Sequence, residues 1–358
     1  MQFERFDLLA RVLEGQQKAT YDLSSSDMPE QRLSDYAGLA DLSLAENHVG
    51  GSEELRAELA RLYGGHAGDY LVTAGASEAN FAVFATLLNS GDPVLVEHPT
   101  YQPLDAIPRG LGAAVHPLVR NEGEGFQLTA DRVRAALPPN LRLLALTNLN
   151  NPTGVALDAD EVQRIADLAE DRGFYVLVDE IFRELAFDHE SPTMGGINER
   201  TIVTSSVSKY DGAGGLKIGW IRATPDVRQR LQSVLDYLSS TPAGPSEAIA
   251  LAVLRGRKKT AARNRRLIEA GRKVAREWAE SEPDLVWHDP VAHLAFPNVG
   301  GDTLRLADLL LKKYHTFIAP GESFGIEGHF RLNIGKGAEG LQEGLRRVSQ
   351  ARSALRKT

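Results

Sequence analysis

The segment FYVLVD at residues 174–179 is a short apolar run rich in β-branched and aromatic side chains, and it ends in a carboxylate. Similar runs occur at residues 93–97 (PVLVE), 141–147 (LRLLALT) and 201–205 (TIVTS). None of them alternates apolar with polar residues, which is typical of strands buried on both faces of a sheet. Helical patterns separate them, at residues 78–88, 130–137 and 158–172. This order predicts an α/β fold, with a mostly parallel sheet and helices on both faces.

The end of the chain has a different pattern. A long basic helix is predicted at residues 257–280 and a closing helix at residues 341–354. Four short strand signals lie between them, at residues 285–287, 293–296, 316–318 and 330–334. This mixture predicts a smaller α+β domain. We therefore expect a large domain of residues 46–255 and a small domain formed by residues 1–45 together with residues 256–358.

The composition excludes several classes of protein. The chain of 358 residues has 40 Lys and Arg against 48 Asp and Glu, a formal charge of −8, with no cysteine. Disulfides, thiolate metal sites and a cysteine nucleophile are therefore excluded. An acidic chain is a poor nucleic-acid binder, and no run of about 18 apolar residues is present to span a membrane. Because the first residues also lack a signal-peptide core, we expect a cytoplasmic protein without a metal site.

The most informative motif is Ser206-Val207-Ser208-Lys209, which directly follows the strand at residues 201–205. A glycine-rich turn and a second cation, Lys217, come after it. Hydroxyl groups and backbone N–H groups in such a turn can bind a phosphate. A lysine placed there can form a Schiff base with a carbonyl group. The motif therefore predicts a site for a phosphorylated carbonyl cofactor.

Three further motifs follow predicted strands or open predicted helices. Asp179 ends the strand at residues 174–179, where open α/β sheets bind their ligands. Asn151-Pro152-Thr153-Gly154 follows the strand at residues 141–147. Gly75-Ala76-Ser77 precedes a helix, and the N-terminus of a helix favours an anion. Each motif is weak alone, but all of them are compatible with one ligand site.

In this order, the motifs resemble the fold-type-I aminotransferases of class I and II, which use pyridoxal 5′-phosphate (PLP). The resemblance extends from about Asn47 to the C-terminus and includes Pro99-Thr100-Tyr101 and Phe330-Arg331-Leu332. It implies the PLP-transferase fold and a ping-pong transfer of an amino group between an L-amino acid and a 2-oxo acid. It also implies a homodimer. Side-chain specificity for the amino acid does not follow from it.

The resemblance also implies roles for individual residues. Lys209 would carry PLP as an internal aldimine and move a proton, Asp179 would pair with the ring nitrogen, and Tyr101 would stack on the ring. Asn151 would donate to the ring O3′ atom and line the substrate site, and Arg331 would bind the substrate α-carboxylate. The phosphate would be held by Gly75, Ala76, Ser77, Ser206 and Lys217.

Three positions depart from the family pattern. Phe182 replaces a cofactor-binding tyrosine, and Lys217 replaces a phosphate-binding arginine. No tyrosine occurs at residues 46–51, where Asn47 and His48 are candidates for the substrate or cofactor site instead. Further candidates for lining the pocket are His293 and Arg183.

The first two departures also resemble PLP-dependent arginine oxidases and hydroxylases built on the same scaffold, which leaves oxygen-dependent or other carbanion chemistry open as an alternative.

Two unrelated enzyme classes fit poorly. The S-x-x-K motif of penicillin-recognising enzymes would require S-D-N and K-T-G, which are absent. A dinucleotide site would require G-x-G-x-x-G after an early strand, and the glycines after Lys209 do not match. A regulator on an aminotransferase scaffold would need a DNA-binding segment, whereas the first 45 residues have no basic cluster.

Overall fold

The computed structural model describes residues 2–189 and 191–357. Its strands are β1 Tyr21–Asp22, β2 Tyr70–Thr73, β3 Pro93–His98, β4 Ala114–Val119, β5 Leu143–Thr147, β6 Tyr175–Asp179, β7 Thr201–Ser206, β8 Gly219–Arg222, β9 Leu294–Ala295, β10 Thr316–Phe317, β11 Ala319–Pro320 and β12 Phe330–Asn333. Its α-helices are α1 Asp7–Lys18, α2 Glu53–Tyr63, α3 Ala76–Leu87, α4 Gln102–Gly110, α5 Ala130–Ala136, α6 Ala159–Arg172, α7 Pro225–Leu235, α8 Gly244–Arg255, α9 Arg257–Ser281, α10 Thr303–Tyr314 and α11 Ala338–Leu355.

A seven-stranded sheet forms the centre of the molecule, in the order β2-β8-β7-β6-β5-β3-β4. Strand β8 is antiparallel to both of its neighbours, and the other pairs are parallel. The prediction of an α/β fold with a mostly parallel sheet is confirmed. Because β5, β6 and β7 run in the same direction, their carboxyl ends meet at one edge of the sheet. That edge carries Thr147, Asp179 and Ser206.

Helices cover both faces of this sheet, as the sequence predicts. One apolar cluster packs α3 and α7 against the sheet, and a second packs α5 and α6 against the opposite face. Helix α6 shows the cause: Val162, Ile165, Ala166 and Ala169 recur at helical spacing and are buried. Burying each large apolar side chain contributes about 1.5–3 kcal/mol. Helix α6 ends where Gly173 takes a left-handed conformation with φ of 77°.

The two ends of the chain pack together. Strands β11, β12 and β9 form an antiparallel sheet, while β1 from the N-terminus pairs in parallel with β10. Leu23, just after β1, lies in the same apolar cluster as residues of α10 and α11. The N-terminal segment is therefore attached to C-terminal elements. The boundaries at residues 46 and 255 stay a prediction.

One predicted strand is wrong. Residues 285–287 make only a single bridge, between Val286 and Asn298, instead of a strand. The neighbouring Pro283 and Pro290 have no N–H to donate to a ladder, and Asp284 has a positive φ of 61°. Among residues 2–189 and 191–357, no helix is long and apolar enough to cross a bilayer.

Candidate active site

Asp179 lies at the end of β6 in a buried polar network. Its carboxylate accepts hydrogen bonds from Asn80 Nδ2 (2.8 Å) and from the backbone N–H of Ile181 (3.1 Å). Thr204 Oγ1 donates to Asn80 Oδ1 (2.6 Å), which fixes the orientation of the amide. Burial raises the pKa of Asp179 to about 6, although both hydrogen bonds lower it. The site therefore holds a buried carboxylate that a cation would stabilise.

The Gly75–Ser77 loop begins helix α3 beside strand β8. Gly75 has a φ of 91°, which favours glycine. A Cβ on Gly219 would come within 2.5 Å of the Gly75 carbonyl carbon, so the two backbones are in close contact only because residue 219 is glycine. Ala76 is buried and Ser77 is exposed. The first turn of α3 thus presents its free N–H groups and one hydroxyl at the strand edge.

Ser206 and Lys217 approach the same region from β7 and from the turn before β8. Ser206 pairs with Gly219 in the sheet, and its hydroxyl accepts from the backbone N–H of Ser208 (3.2 Å). Lys217 is exposed, in a left-handed conformation with φ of 53°. Within the described part of the chain, it has no acidic partner in an ion pair. Its charge is therefore available to an anion.

Lys209 follows β7 and makes an ion pair that the sequence did not indicate. Its Nζ atom lies 2.6 Å from Asp27 Oδ1, and the side chains of Lys209 and Asp27 are 27 % and 44 % exposed. Burial opposes ionisation of Asp27, but the ammonium groups of Lys209 and Lys336 hold the pKa of that carboxyl below its usual range. The lysine is thus accessible and oriented by an acid from the N-terminal segment.

Arg331 on β12 is buried without a carboxylate partner among the described residues. Its Nη1 donates to Asn151 Oδ1 (2.9 Å) and its Nη2 to the Ser24 carbonyl (2.8 Å). Its Nε has no partner, and the guanidinium carbon lies 5.1 Å from the centre of the Phe324 ring. Burial lowers the pKa of Arg331 to about 10. A buried guanidinium bonded only to neutral oxygens is suited to bind a carboxylate.

Two aromatic residues flank the site. Tyr101 contacts Phe6 edge to face, with ring centres 5.6 Å apart, and burial raises its pKa to about 12. Phe182 is buried with its ring 5.0 Å from that of His293. His293 Nε2 lies 3.0 Å from the Ser26 carbonyl, its Nδ1 has no partner, and burial lowers its pKa to about 3. His293 is therefore a neutral imidazole among the charged groups of the site.

The remaining candidates lie in other surroundings within this chain. His48 Nδ1 is 3.0 Å from Glu247 Oε2, and its Nε2 is 3.4 Å from Glu46 Oε1. Asn47 is exposed and contacts only its own loop through the Ala45 carbonyl (3.4 Å). Arg183 pairs with Glu180 (2.8 Å). None of the three has a hydrogen bond to Lys209, Asp179 or Arg331.

The residues present fit PLP. An accessible amine, Lys209, suits its aldehyde, and a buried carboxylate without a cation within ion-pair distance, Asp179, suits its ring nitrogen. The N–H groups of α3 and the unpaired Lys217 suit its phosphate. The orphaned Nε of Arg331 suits a carboxylate of a substrate. Together these donors and acceptors match the aldehyde, ring nitrogen and phosphate of the cofactor and the carboxylate of an acid.

Comparison with known proteins shows the family of the chain. Residues 47–348 match the aminotransferase class I and II family, and the chain belongs to it. It is 29 % identical to an arginine–pyruvate transaminase of Pseudomonas aeruginosa, over 97 % of this chain and 93 % of the relative. It is 27 % identical to an aspartate aminotransferase of Streptomyces avermitilis, over 84 % and 80 %. A PLP-dependent aminotransferase from Streptococcus suis superimposes with a TM-score of 0.93, at 26 % identity and 99 % coverage of both chains.

These findings confirm the predicted family, cofactor and enzyme class: the protein is a PLP-dependent aminotransferase. The oxygen-dependent alternative suggested by Phe182 and Lys217 is not favoured, because curated relatives of similar sequence are named as aminotransferases. The sequence missed Asp27, Asn80 and Thr204. Asn80 had a visible signal, as a polar residue within the buried face of α3.

Proposed function

We propose that the aminotransferase reaction takes place at the edge of the sheet that carries Asp179, Lys209 and Arg331, and that Lys209 binds the cofactor covalently. Bound PLP supplies an electron sink for the charge that develops at the substrate α-carbon. Asp179 holds a proton at the ring nitrogen, and Lys209 Nζ moves the proton of the α-carbon. The observation that carries this proposal is the buried Arg331, which has no carboxylate partner and an orphaned Nε among residues 2–189 and 191–357.

The other residues have binding roles in this proposal. Arg331 orients the substrate by its α-carboxylate, so that the α-carbon faces Lys209. Asn151 joins the cofactor and substrate sides, since its Oδ1 already accepts from Arg331. Tyr101 and Phe182 enclose the ring. The phosphate is held by Gly75, Ala76, Ser77, Ser206 and Lys217.

We propose a homodimer, with Asn47 and His48 reaching the site of the second copy. Large apolar side chains in the same loop support the proposal, because Leu44 and Val49 are 88 % and 68 % exposed. Such exposure is typical of a surface that another chain covers. Sedimentation velocity should give a mass near 78 kDa, twice the 39.0 kDa of one chain. A species of 39.0 kDa at micromolar concentration would contradict it.

The cytoplasmic location stays a prediction.

Amino transfer can be tested in two half-reactions. The PLP-loaded protein is incubated with single L-amino acids and no acceptor, and pyridoxamine phosphate is quantified by chromatography. We expect close to one equivalent per chain with a good donor, and its return to PLP when pyruvate or 2-oxoglutarate is added. Both acceptors are needed because the relatives are named for arginine with pyruvate and for aspartate. Oxygen uptake without formation of pyridoxamine phosphate would contradict the proposal.

A further inference from the structure

The segment of residues 24–27 joins three parts of the active site. The Ser24 carbonyl accepts from Arg331, the Ser26 carbonyl lies at hydrogen-bond distance from His293, and the Asp27 carboxylate pairs with Lys209. Asn333 on β12 holds this segment, because its Nδ2 donates to the Ser25 and Asp27 carbonyls (2.5 and 3.1 Å). The segment therefore borders the space between the proposed carboxylate site and the reactive lysine.

The carboxylate of Asp27 contributes little to the structure of this segment, although its backbone carbonyl is held by Asn333. Asp22, by contrast, accepts from the N–H and hydroxyl of Ser24 (2.8 and 2.7 Å) and so stabilises the turn. Asp27 has a weak hydrogen bond from Ser25 Oγ (3.2 Å) besides its ion pair with Lys209. Once Lys209 is bonded to the cofactor, it no longer offers Asp27 an ammonium group. The carboxylate then needs a different cation, since an unpaired, partly buried charge is costly.

His293 adds a second acceptor nearby. The imidazole is neutral, and its Nε2–H is used by the Ser26 carbonyl, so its unpartnered Nδ1 carries a lone pair. The contact of its Nε2 with the Ser26 carbonyl (3.0 Å) places the ring beside the segment that ends in Asp27. A substrate group that contacts Asp27 and His293 therefore has to donate hydrogen bonds, because the Asp27 carboxylate and His293 Nδ1 are both acceptors.

We propose that Asp27, assisted by His293, selects amino donors whose side chain carries a cation, the basic L-amino acids. The inference rests on the proposed function. A dicarboxylate substrate would bring a second negative charge towards Asp27 and is disfavoured. Two other cations also act on Asp27, the exposed Lys336 and the buried Arg331. The substrate α-carboxylate would occupy Arg331, which leaves Lys336 as the competitor for Asp27.

Two unreactive acids test the selection without chemistry. In the wild-type holoenzyme, 5-guanidinopentanoate and hexanoate both present a carboxylate to Arg331, but only the first carries a cation and neither has an α-amino group. We expect the inhibition constant of the guanidino acid to be about 10- to 100-fold lower, as for a charged hydrogen bond. Equal constants, or a stronger effect of glutarate, would overturn the proposal.

Substitution of Asp27 localises the effect. In Asp27→Asn, the preference for the guanidino acid and the ratio of kcat/KM for ornithine over that for alanine should both fall about 10- to 100-fold. Asp27→Glu should keep part of the preference, and Asp308→Asn, at an exposed position of α10, controls for the loss of one negative charge. His293→Phe should lower the preference less, by about 3- to 10-fold.

The outcomes separate this inference from the proposed function. An equal fall in kcat/KM for ornithine, alanine and aspartate would show that Asp27 contacts the α-amino group and does not select the side chain. Absence of amino transfer with every donor would contradict the proposed function instead. If Asp27→Asn does not bind PLP, the wild-type comparison of the two acids still decides the matter.

Discussion

The two acids of the active site, Asp179 and Asp27, lie in opposite surroundings. Asp179 is 4 % exposed at the end of β6 and is fixed by Asn80, and its pKa is raised by burial. Asp27 lies in an N-terminal segment, its side chain is 44 % exposed, and its pKa is lowered by the cations beside it. One acid is part of a rigid sheet and the other is held by contacts between the two ends of the chain.

This difference suggests a division of labour. A cofactor that stays bound requires fixed groups, which the carboxyl ends of parallel strands provide. Substrates enter and leave, and their side of the site includes a segment that is held by Asn333 and Arg331 and exposes only the Asp27 side chain. The account therefore assigns the cofactor to the sheet and substrate selection to the segment of residues 24–27.

The largest expected effect comes from removing the lysine between the two regions. Lys209→Ala should lower kcat by about 10⁴-fold or more, because it removes both the attachment point and the proton carrier. Borohydride reduction followed by peptide mass mapping should place PLP on Lys209 in the wild type and nowhere in the variant. Lys217→Ala is the matched control, since it should bind PLP more weakly but keep the label on Lys209. A label on another lysine in the wild type would contradict the assignment.

The pH dependence of stability should differ in sign between the two acids. The pKa of Asp179 is higher in the native state than in the unfolded state. This acid therefore stabilises the fold below its unfolded pKa of 3.8, and the contribution is lost as the pH rises through about 6. Because of Asp179, the free energy of unfolding of the PLP-free protein should therefore fall by at most about 3 kcal/mol between pH 4 and 7. Asp27, with its lowered pKa, stabilises above its unfolded pKa of 3.8, and that contribution is lost as the pH falls through its native pKa.

Urea unfolding of the PLP-free protein from about pH 2 to 7 covers both contributions, because Asp27 titrates below pH 3.8 and Asp179 titrates above it. The difference between wild type and Asp179→Asn should shift against the wild type as the pH rises from 3.8 through about 6. The difference between wild type and Asp27→Asn should shift in favour of the wild type as the pH rises towards 3.8 and should stay constant above it. Bound PLP should reduce the Asp179 effect, because the ring nitrogen then supplies a positive charge. If the two differences in the free energy of unfolding changed with pH in the same direction, the proposed contrast between Asp179 and Asp27 would be wrong.

The sequence predicted the part of the site at the edge of the sheet better than the part formed by the segment of residues 24–27. Asp179 and Lys209 follow apolar strands directly, so their place at the edge of the sheet is a consequence of local pattern. Asp27 pairs with a lysine 182 positions away, in a segment with no motif for that contact. Asn80 lies 99 positions from Asp179 on a helix that otherwise buries apolar residues. Such contacts depend on how elements pack and have no local signature.

A smaller effect is expected at Lys217 in the proposed phosphate site. Lys217→Arg should lower the dissociation constant of PLP by about 3- to 10-fold, because a planar fork binds phosphate with better geometry than an ammonium group. Lys217→Met should raise it. Equilibrium dialysis with the PLP-free protein measures both. Substrate KM should stay unchanged, and a change in KM alone would contradict the assignment of Lys217 to the cofactor.

The division of labour itself can be tested with two matched asparagine variants. Asn80→Ala releases Asp179, and Asn333→Ala releases the segment that carries Asp27. We would measure the PLP dissociation constant and the KM of the amino donor for both. The account predicts that Asn80→Ala weakens PLP binding with little change in KM, whereas Asn333→Ala raises KM with little change in PLP binding. Equal effects of both variants on both constants would contradict it.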